Sequence, residues 1–201
     1  MGRSSCSLLK AGLDTRWDGS LQTKMLASTS ISESTTMPQF GALTIDSKGD
    51  REIVFTRSFN APKHLVWKAL TTPALLKQWL GSFGDWTMPV CEFDARVGGT
   101  YRYQWRNGAD GATMGMGGTV LEVDPPYRMV ATELFDDAWY EGGAEVTQVL
   151  TEANGRTTLT LTVKYISNAA RDGVLVGPAA TGLAANYDVL EKLLTSTAEG
   201  K

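Results

Sequence analysis

The pattern of hydrophobic and polar positions divides the chain at about residue 41. Residues 1–40 are mostly small and polar, and their apolar residues recur at neither the helical nor the strand period. We therefore expect a disordered leader there, or a start codon assigned too early, since Met25 and Met37 are internal methionines. A functional arm is the alternative. Residues 41–201 carry the regular patterns of one domain.

The domain begins with a predicted strand and two predicted short helices. Ile53, Phe55 and Phe59 recur at the even spacing that is typical of one strand face. Pro62 and Pro73 each favour the first turn of a helix, because the missing N–H of proline would be unpaired there anyway. The C-terminal part predicts one long amphipathic helix, with apolar residues at Leu183, Tyr187, Leu190 and Leu194.

Between these helices the pattern predicts about six strands in a meander. Tyr101, Tyr103 and Trp105 alternate with polar residues, so three aromatic side chains share one face. Asn154-Gly155 predicts a tight hairpin turn. The arrangement is α+β: a curved antiparallel sheet of about seven strands, wrapped around the long C-terminal helix, with two short helices after the first strand. The space left between sheet and helix is an expected cavity lined by apolar and aromatic groups.

Composition and charge exclude several classes of protein. The chain has 201 residues, 42% of them hydrophobic, and a formal net charge of −3. A pI near 5.2 argues against nucleic acid as a partner, because phosphate binding needs a basic surface. No apolar run approaches the roughly 18 residues of a membrane span. Cys6 and Cys91 exclude a disulfide framework and a multi-cysteine zinc site, and favour free thiols in a reducing cytoplasm.

Candidate catalytic and metal-binding residues are few. His64, the one histidine of the sequence, falls at a predicted helix start without a Gly-x-Ser-x-Gly motif, which favours a solvated side chain over a catalytic triad. Glu92 and Asp94 share a predicted strand face, where paired carboxylates are usually surface groups. One histidine and two distant thiols leave only carboxylates as metal ligands. We expect no metal, no organic cofactor and no catalytic residue, so the sequence leans against an enzyme.

The glycine-rich segment at residues 115–118 partly matches a nucleotide-binding loop. The motif G-x-G-x-x-G would require a glycine where the chain has Val120, and the segment opens a predicted strand instead of a helix. We expect these glycines to let the sheet bend sharply around the helix.

Five motifs follow one another between residues 59 and 130. They are FNAPKHLVWKALTTP at 59–73, LKQWL at 76–80, MPVCEFD at 88–94, VGGTYRY at 97–103 and EVDPPYRMV at 122–130. In this order they resemble the START-like (SRPBCC) superfamily, in the branch named for the C-terminal domain of the heat-shock protein 90 ATPase activator. The resemblance covers about residues 50–197. It implies a helix-grip fold with a deep cavity, relatives that bind hydrophobic small molecules, and bacterial members mostly without an assigned activity.

Two positions depart from the pattern of that family. Gly182 is followed by Leu183 where the family commonly has Gly-Trp, and Ala131 stands where a larger, often aromatic residue is frequent. Both changes imply a roomier interior, unless neighbouring side chains fill the space.

The candidate ligand-binding residues are those expected on the cavity wall. In a helix-grip fold the inward face of the sheet is both core and cavity wall, so the aromatic row of residues 101–105 fits either role. The expected wall residues are Trp79, Phe83, Met88, Tyr101, Tyr103, Trp105, Met114, Met116, Leu183 and Tyr187.

Three classes of function remain open on the sequence alone. We favour the binding of a hydrophobic or aromatic small molecule in the cavity, with few polar groups to orient it. The first alternative is a co-chaperone-like regulator of an ATPase, for which residues 1–50 are too short to form the large additional domain of the eukaryotic activator. The second is a cavity enzyme, a cyclase or hydrolase. A chaperone is thus a less favoured partner than a small molecule, and a homodimer is left open.

Overall fold

The computed structural model describes residues 43–199 except residues 82, 83, 139, 141 and 176–178. The expected leader at residues 1–40 lies outside the described residues. The strands are β1 (Thr44–Lys48), β2 (Glu52–Phe59), β3 (Trp86–Phe93), β4 (Thr100–Asn107), β5 (Thr113–Asp124), β6 (Arg128–Phe135), β7 (Ala144–Ala153) and β8 (Arg156–Tyr165). The helices are α1 (Lys63–Thr71), α2 (Pro73–Trp79), α3 (Asn168–Leu175) and α4 (Ala179–Glu199).

All these strands form one antiparallel sheet in the order β1-β2-β8-β7-β6-β5-β4-β3. Helices α1 and α2 connect β2, near one edge of the sheet, to β3 at the other edge. Helix α4 packs against α1, α2, α3 and β2. The predicted α+β helix-grip fold is thereby confirmed. No helix in the described ranges is both long enough and apolar enough to cross a membrane.

Strand β1 is one strand more than the sequence analysis expected. All five of its side chains are exposed, and it pairs with β2 in a register that runs from Thr44 opposite Thr56 to Lys48 opposite Glu52. An edge strand without a buried face needs no alternation of apolar residues. Its sequence, TIDSK, therefore carries no strand pattern that could have been recognised.

The main core cluster lies where α1, α2 and α4 cover the inner face of the sheet. Phe59 of β2 meets Tyr187 of α4 edge to face, with ring centroids 5.7 Å apart. Leu190 and Leu194, from the predicted apolar stripe of the long helix, are buried in the same cluster. Burial of each such leucine contributes about 1.5–3 kcal/mol. The amphipathic pattern thus selects the face by which α4 docks onto the sheet.

The hairpin turn between β7 and β8 has the geometry that its sequence predicts. Asn154 and Gly155 both have positive φ angles, of 53° and 71°. Positive φ at two successive positions is the signature of a type I′ turn, which matches the twist of the flanking strands. The turn sets the register in which Ala153 pairs with Arg156 and, further along, Ala144 with Tyr165.

The glycine-rich segment lies in the middle of β5. A Cβ atom at Gly118 would lie 1.9 Å from the carbonyl oxygen of Thr132 on β6 and 2.8 Å from the ring of Tyr101 on β4. A side chain there would therefore collide with both neighbouring strands. The glycine allows this close approach of the strands, and β5 has no helix following it that could bind phosphate.

Candidate functional site

A partly open cavity of about 100 Å³ lies between the inner face of the sheet and the two short helices. Its wall is largely apolar, with the polar side chains of Glu133 and Gln148 and the two tyrosine hydroxyl groups as the exceptions. The lining residues are Leu70, Leu76, Trp79, Leu80, Phe93, Tyr101, Tyr103, Met116, Met129, Ala131, Glu133, Val146 and Gln148. Such a wall favours an apolar occupant over a charged or strongly hydrated one.

The aromatic row predicted on β4 faces inward. The ring centroids of Tyr101 and Tyr103 are 5.1 Å apart, and those of Tyr103 and Trp105 are 6.1 Å apart. The hydroxyl of Tyr101 donates a hydrogen bond to the carbonyl oxygen of Thr132 at 2.9 Å, and the indole N–H of Trp105 donates one to that of Leu80 at 2.9 Å. Because these polar atoms are already paired, both rings are held in place.

Helix α2 supplies the opposite wall through Trp79. Its indole N–H donates a hydrogen bond to the carbonyl oxygen of Ala69 on α1 at 3.0 Å. Its ring lies 6.0 Å from the ring of Tyr187 on α4. The indole therefore ties both short helices to the long helix, and its remaining surface borders the cavity.

The predicted wall residues divide into three groups. Trp79, Tyr101, Tyr103 and Met116 line the cavity. Five others belong to, or pack against, the same core cluster but do not border the cavity as the structure describes it: Met88, Trp105, Met114, Leu183 and Tyr187. Phe83 lies outside the described residues. That any of these side chains contacts a ligand stays a prediction.

Glu133 is a wall residue that the sequence analysis missed. It follows Met129 and Ala131 on the inward face of β6, where residues alternate along the strand. Its side chain is half-buried, and burial raises the pKa of its carboxyl to about 7. The same alternation would have identified it, since residues 129, 131 and 133 share one strand face.

The charge of the Glu133 carboxyl acts on three tyrosines. Burial first, and the charge of Glu133 second, raise the pKa of Tyr101, of Tyr165 and of Tyr140, the last to about 12. Across the sheet Glu133 pairs with Ala144 of β7, which pairs with Tyr165 of β8. Glu133, Ala144 and Tyr165 therefore form one cross-strand row, with the small side chain of Ala144 in the middle.

The same carboxyl also borders the surface. An open groove of about 480 Å³ runs along the ends of β6, β7 and β8, and Glu133 and Tyr165 both line it. Glu133 thus lines both the cavity and the solvent-exposed groove. A carboxyl with a pKa near 7 at this position can accept or donate a proton at neutral pH.

The other candidate groups are not assembled into a site. His64 is exposed on α1, and Glu92 is exposed on β3. Asp94 lies beyond the end of β3 and accepts a hydrogen bond from Arg96 at 2.8 Å. Within the described ranges, no three histidine, cysteine or acidic side chains cluster in a way that could hold a metal ion. The thiol of Cys91 is free and buried, and burial raises its pKa.

Residues 60–195 match the model of the family described as Activator of Hsp90 ATPase homolog 1-like protein. The chain belongs to this family. That membership confirms the resemblance to the activator branch of the START-like superfamily. Among curated proteins, none matches the chain.

Solved structures of bacterial proteins show the same fold as this AHSA1-like chain. A Rhodobacter sphaeroides protein is 34% identical, with a TM-score of 0.72 over 77% of this chain and 99% of its own. A Staphylococcus epidermidis protein is 30% identical, with a TM-score of 0.64 over 77% of this chain and 94% of its own. The protein Ms6760 of Mycobacterium smegmatis is 23% identical, with a TM-score of 0.66 over 76% and 96%.

Proposed function

We propose that this AHSA1-like protein binds a small apolar molecule in the cavity between β3–β7 and the two short helices. The observation that supports this most directly is the cavity itself: a space of about 100 Å³ with a largely aromatic and aliphatic wall. Concave sites with a mostly apolar wall and a few polar groups are the usual binding places of small molecules.

The volume limits the size of the molecule. A cavity of about 150 Å³ accommodates benzene, so the present one, at about 100 Å³, suits a short aliphatic chain. A larger aromatic ligand requires part of the wall to move outward. The helix side of the wall is the part able to do so, because helices are held by side-chain packing while β4–β7 are held by backbone hydrogen bonds.

The function is tested with 1-butanol as the probe, followed by NMR chemical shifts of the methionine methyl groups. Met116 lines the cavity and Met88 lies in the core away from it. Binding in the cavity shifts the signal of Met116 and leaves that of Met88 nearly unchanged. Shifts at Met88 alone, or at neither residue, would contradict the proposal.

A matched pair of variants locates the binding. Ala131→Leu places three additional heavy atoms into the cavity and weakens 1-butanol binding by about tenfold or more, because the ligand loses the space that leucine takes. Ala74→Leu makes the same change at an exposed position of α2 and leaves binding unchanged. Equal affinity in the two folded variants, each checked by thermal melting, would place the binding elsewhere.

A further inference from the structure

The Glu133 carboxyl is a feature that an apolar ligand does not explain. Of the described residues that line the cavity, it alone carries a formal charge. Within the described part of the chain, none of the hydrogen bonds or ion pairs involves its side chain. A half-buried carboxylate without a partner lowers stability, since it loses hydration and gains no compensating contact. A positively charged group on a ligand would supply the missing partner of this carboxylate.

We propose that the cavity is selective for small alkyl amines, with the alkyl chain against the apolar wall of the cavity and the ammonium group on the Glu133 carboxylate. This inference rests on the proposed function, because the alkyl chain occupies the same cavity. It names the class of ligand: a primary amine, protonated at neutral pH, on a short aliphatic chain.

The surroundings of Glu133 favour a cation over a neutral hydrogen-bond donor. Tyr101 of β4, Tyr165 of β8 and Tyr140 of the segment between β6 and β7 all lie close enough for the charge of Glu133 to raise their pKa values. The rings of Tyr140 and Tyr165 meet edge to face at 5.5 Å. Aromatic side chains in the neighbourhood of a carboxylate favour an organic ammonium ion, because such a cation is attracted both to the carboxylate and to the faces of aromatic rings.

Within the described residues, no lysine or arginine lines the cavity. Its other wall residues are uncharged, among them Met116 of β5, Val146 and Gln148 of β7, and Trp79 of α2. Lys164 and Glu145 line the open groove, where they pair in register; each is adjacent along its strand to a residue of the Glu133 row and so projects from the opposite face of the sheet. Burial is accordingly the cause of the raised pKa of Glu133, with no opposing charge to lower it.

The position of Glu133 also provides a path for the ligand. Glu133 lines both the open groove and the cavity. An amine that enters chain first can keep its ammonium group at the groove, partly hydrated, while its alkyl chain is buried. The ammonium group would lie next to Ala144, between Glu133 and Tyr165 in the same cross-strand row.

The test compares butylamine with 1-butanol, which has the same chain and no charge, on the full chain at pH 6 and pH 8. Butylamine stays protonated at both values, whereas Glu133 must ionise to pair with it. We expect butylamine affinity to rise about tenfold from pH 6 to pH 8. The affinity for 1-butanol should change less than about twofold, since its chain needs no ionised partner. At pH 8 the amine should bind the more tightly of the two.

Two variants test whether Glu133 is the carboxyl that binds the ammonium group. Glu133→Gln should weaken butylamine binding by roughly 10- to 100-fold and remove its pH dependence, while 1-butanol binding persists. Glu92→Gln, at an exposed position of β3 that lines neither the cavity nor the groove, should leave both affinities unchanged.

The possible failures are distinguishable. If 1-butanol binds but butylamine binds no more tightly at pH 8, or retains its affinity in Glu133→Gln, the amine selectivity is refuted and the apolar cavity stands. If neither probe binds, both proposals are refuted. The pH comparison uses the unmodified protein, so it decides the question even if a variant fails to fold.

Discussion

Arg57 of β2 donates a hydrogen bond to the Asp188 carboxylate of α4 across 2.7 Å. The arginine side chain is 3% exposed, whereas the aspartate is 51% exposed. One turn further along the helix, Glu191 accepts a hydrogen bond from the backbone N–H of Asn60 at 3.1 Å. Polar contacts therefore fix the middle of the long helix to β2, beside the apolar contact of Tyr187 with Phe59.

Removal of the Asp188 carboxylate should destabilise the domain. Asp188→Ala leaves the buried Arg57 without this acceptor, and we expect a loss of about 1–2 kcal/mol in the free energy of unfolding. Urea denaturation measures the loss. The matched control is Asp136→Ala, which removes the partner of Arg102 from an ion pair exposed on both sides. There we expect at most about 1 kcal/mol. Equal losses would contradict the anchoring role of Arg57.

The Glu133 carboxyl should make stability fall as pH rises from about 4.5 to about 7. Its pKa is about 7 in the folded protein against 4.5 as the ordinary value, so the unfolded chain releases the proton first. The favourable contribution is complete below pH 4.5 and is lost by about pH 7. Relative to wild type, Glu133→Gln should therefore gain stability with rising pH, up to about 3 kcal/mol. Urea denaturation of both proteins from pH 4.5 to pH 8 checks this, and a pH-independent difference would contradict it.

Leu183→Trp restores the residue that is common in the family at this position. Leu183 packs against both clusters of buried residues and does not line the cavity. The larger ring should overpack this junction and cost about 1–3 kcal/mol, with 1-butanol affinity unchanged. Val189→Trp, at a position 38% exposed on the same helix, should change stability by less than about 0.5 kcal/mol. Higher stability together with weaker 1-butanol binding would mean instead that the cavity extends to α4.

Two glycine substitutions should have opposite effects. Gly118→Ala places a Cβ atom against the Thr132 carbonyl oxygen and the Tyr101 ring, and should cost roughly 1–3 kcal/mol. Gly182→Ala meets no atom within 4 Å and lies on an exposed part of α4. There alanine should stabilise the helix by about 0.5–1 kcal/mol. Thermal melting of both variants measures the direction of each change in stability. A Gly118→Ala variant as stable as wild type would show that β5 and β6 can separate at this position.

The sequence by itself determined those features that depend only on residues close together in the chain. The inward face of Tyr101, Tyr103 and Trp105 follows from strand alternation, and the Asn154-Gly155 turn follows from the backbone preference of two adjacent residues. Together with the order of the motifs, these local signals were enough to predict the helix-grip fold. Alternation alone would also have placed Glu133 on the inner face, because it requires no knowledge of other strands.

Only the tertiary structure decided which inward side chains border the cavity. Tyr103 and Trp105 share one face of β4, yet Tyr103 lines the cavity and Trp105 packs beyond it against Leu80. That difference depends on where α2 crosses the sheet, and strand periodicity carries no such information. The surroundings of Glu133 likewise come from the registers of β6 with β7 and of β7 with β8, which bring Ala144 and Tyr165 beside it from distant parts of the sequence. Because these registers join residues that are far apart in the sequence, the Glu133 carboxyl and its aromatic neighbours come together only in the folded chain.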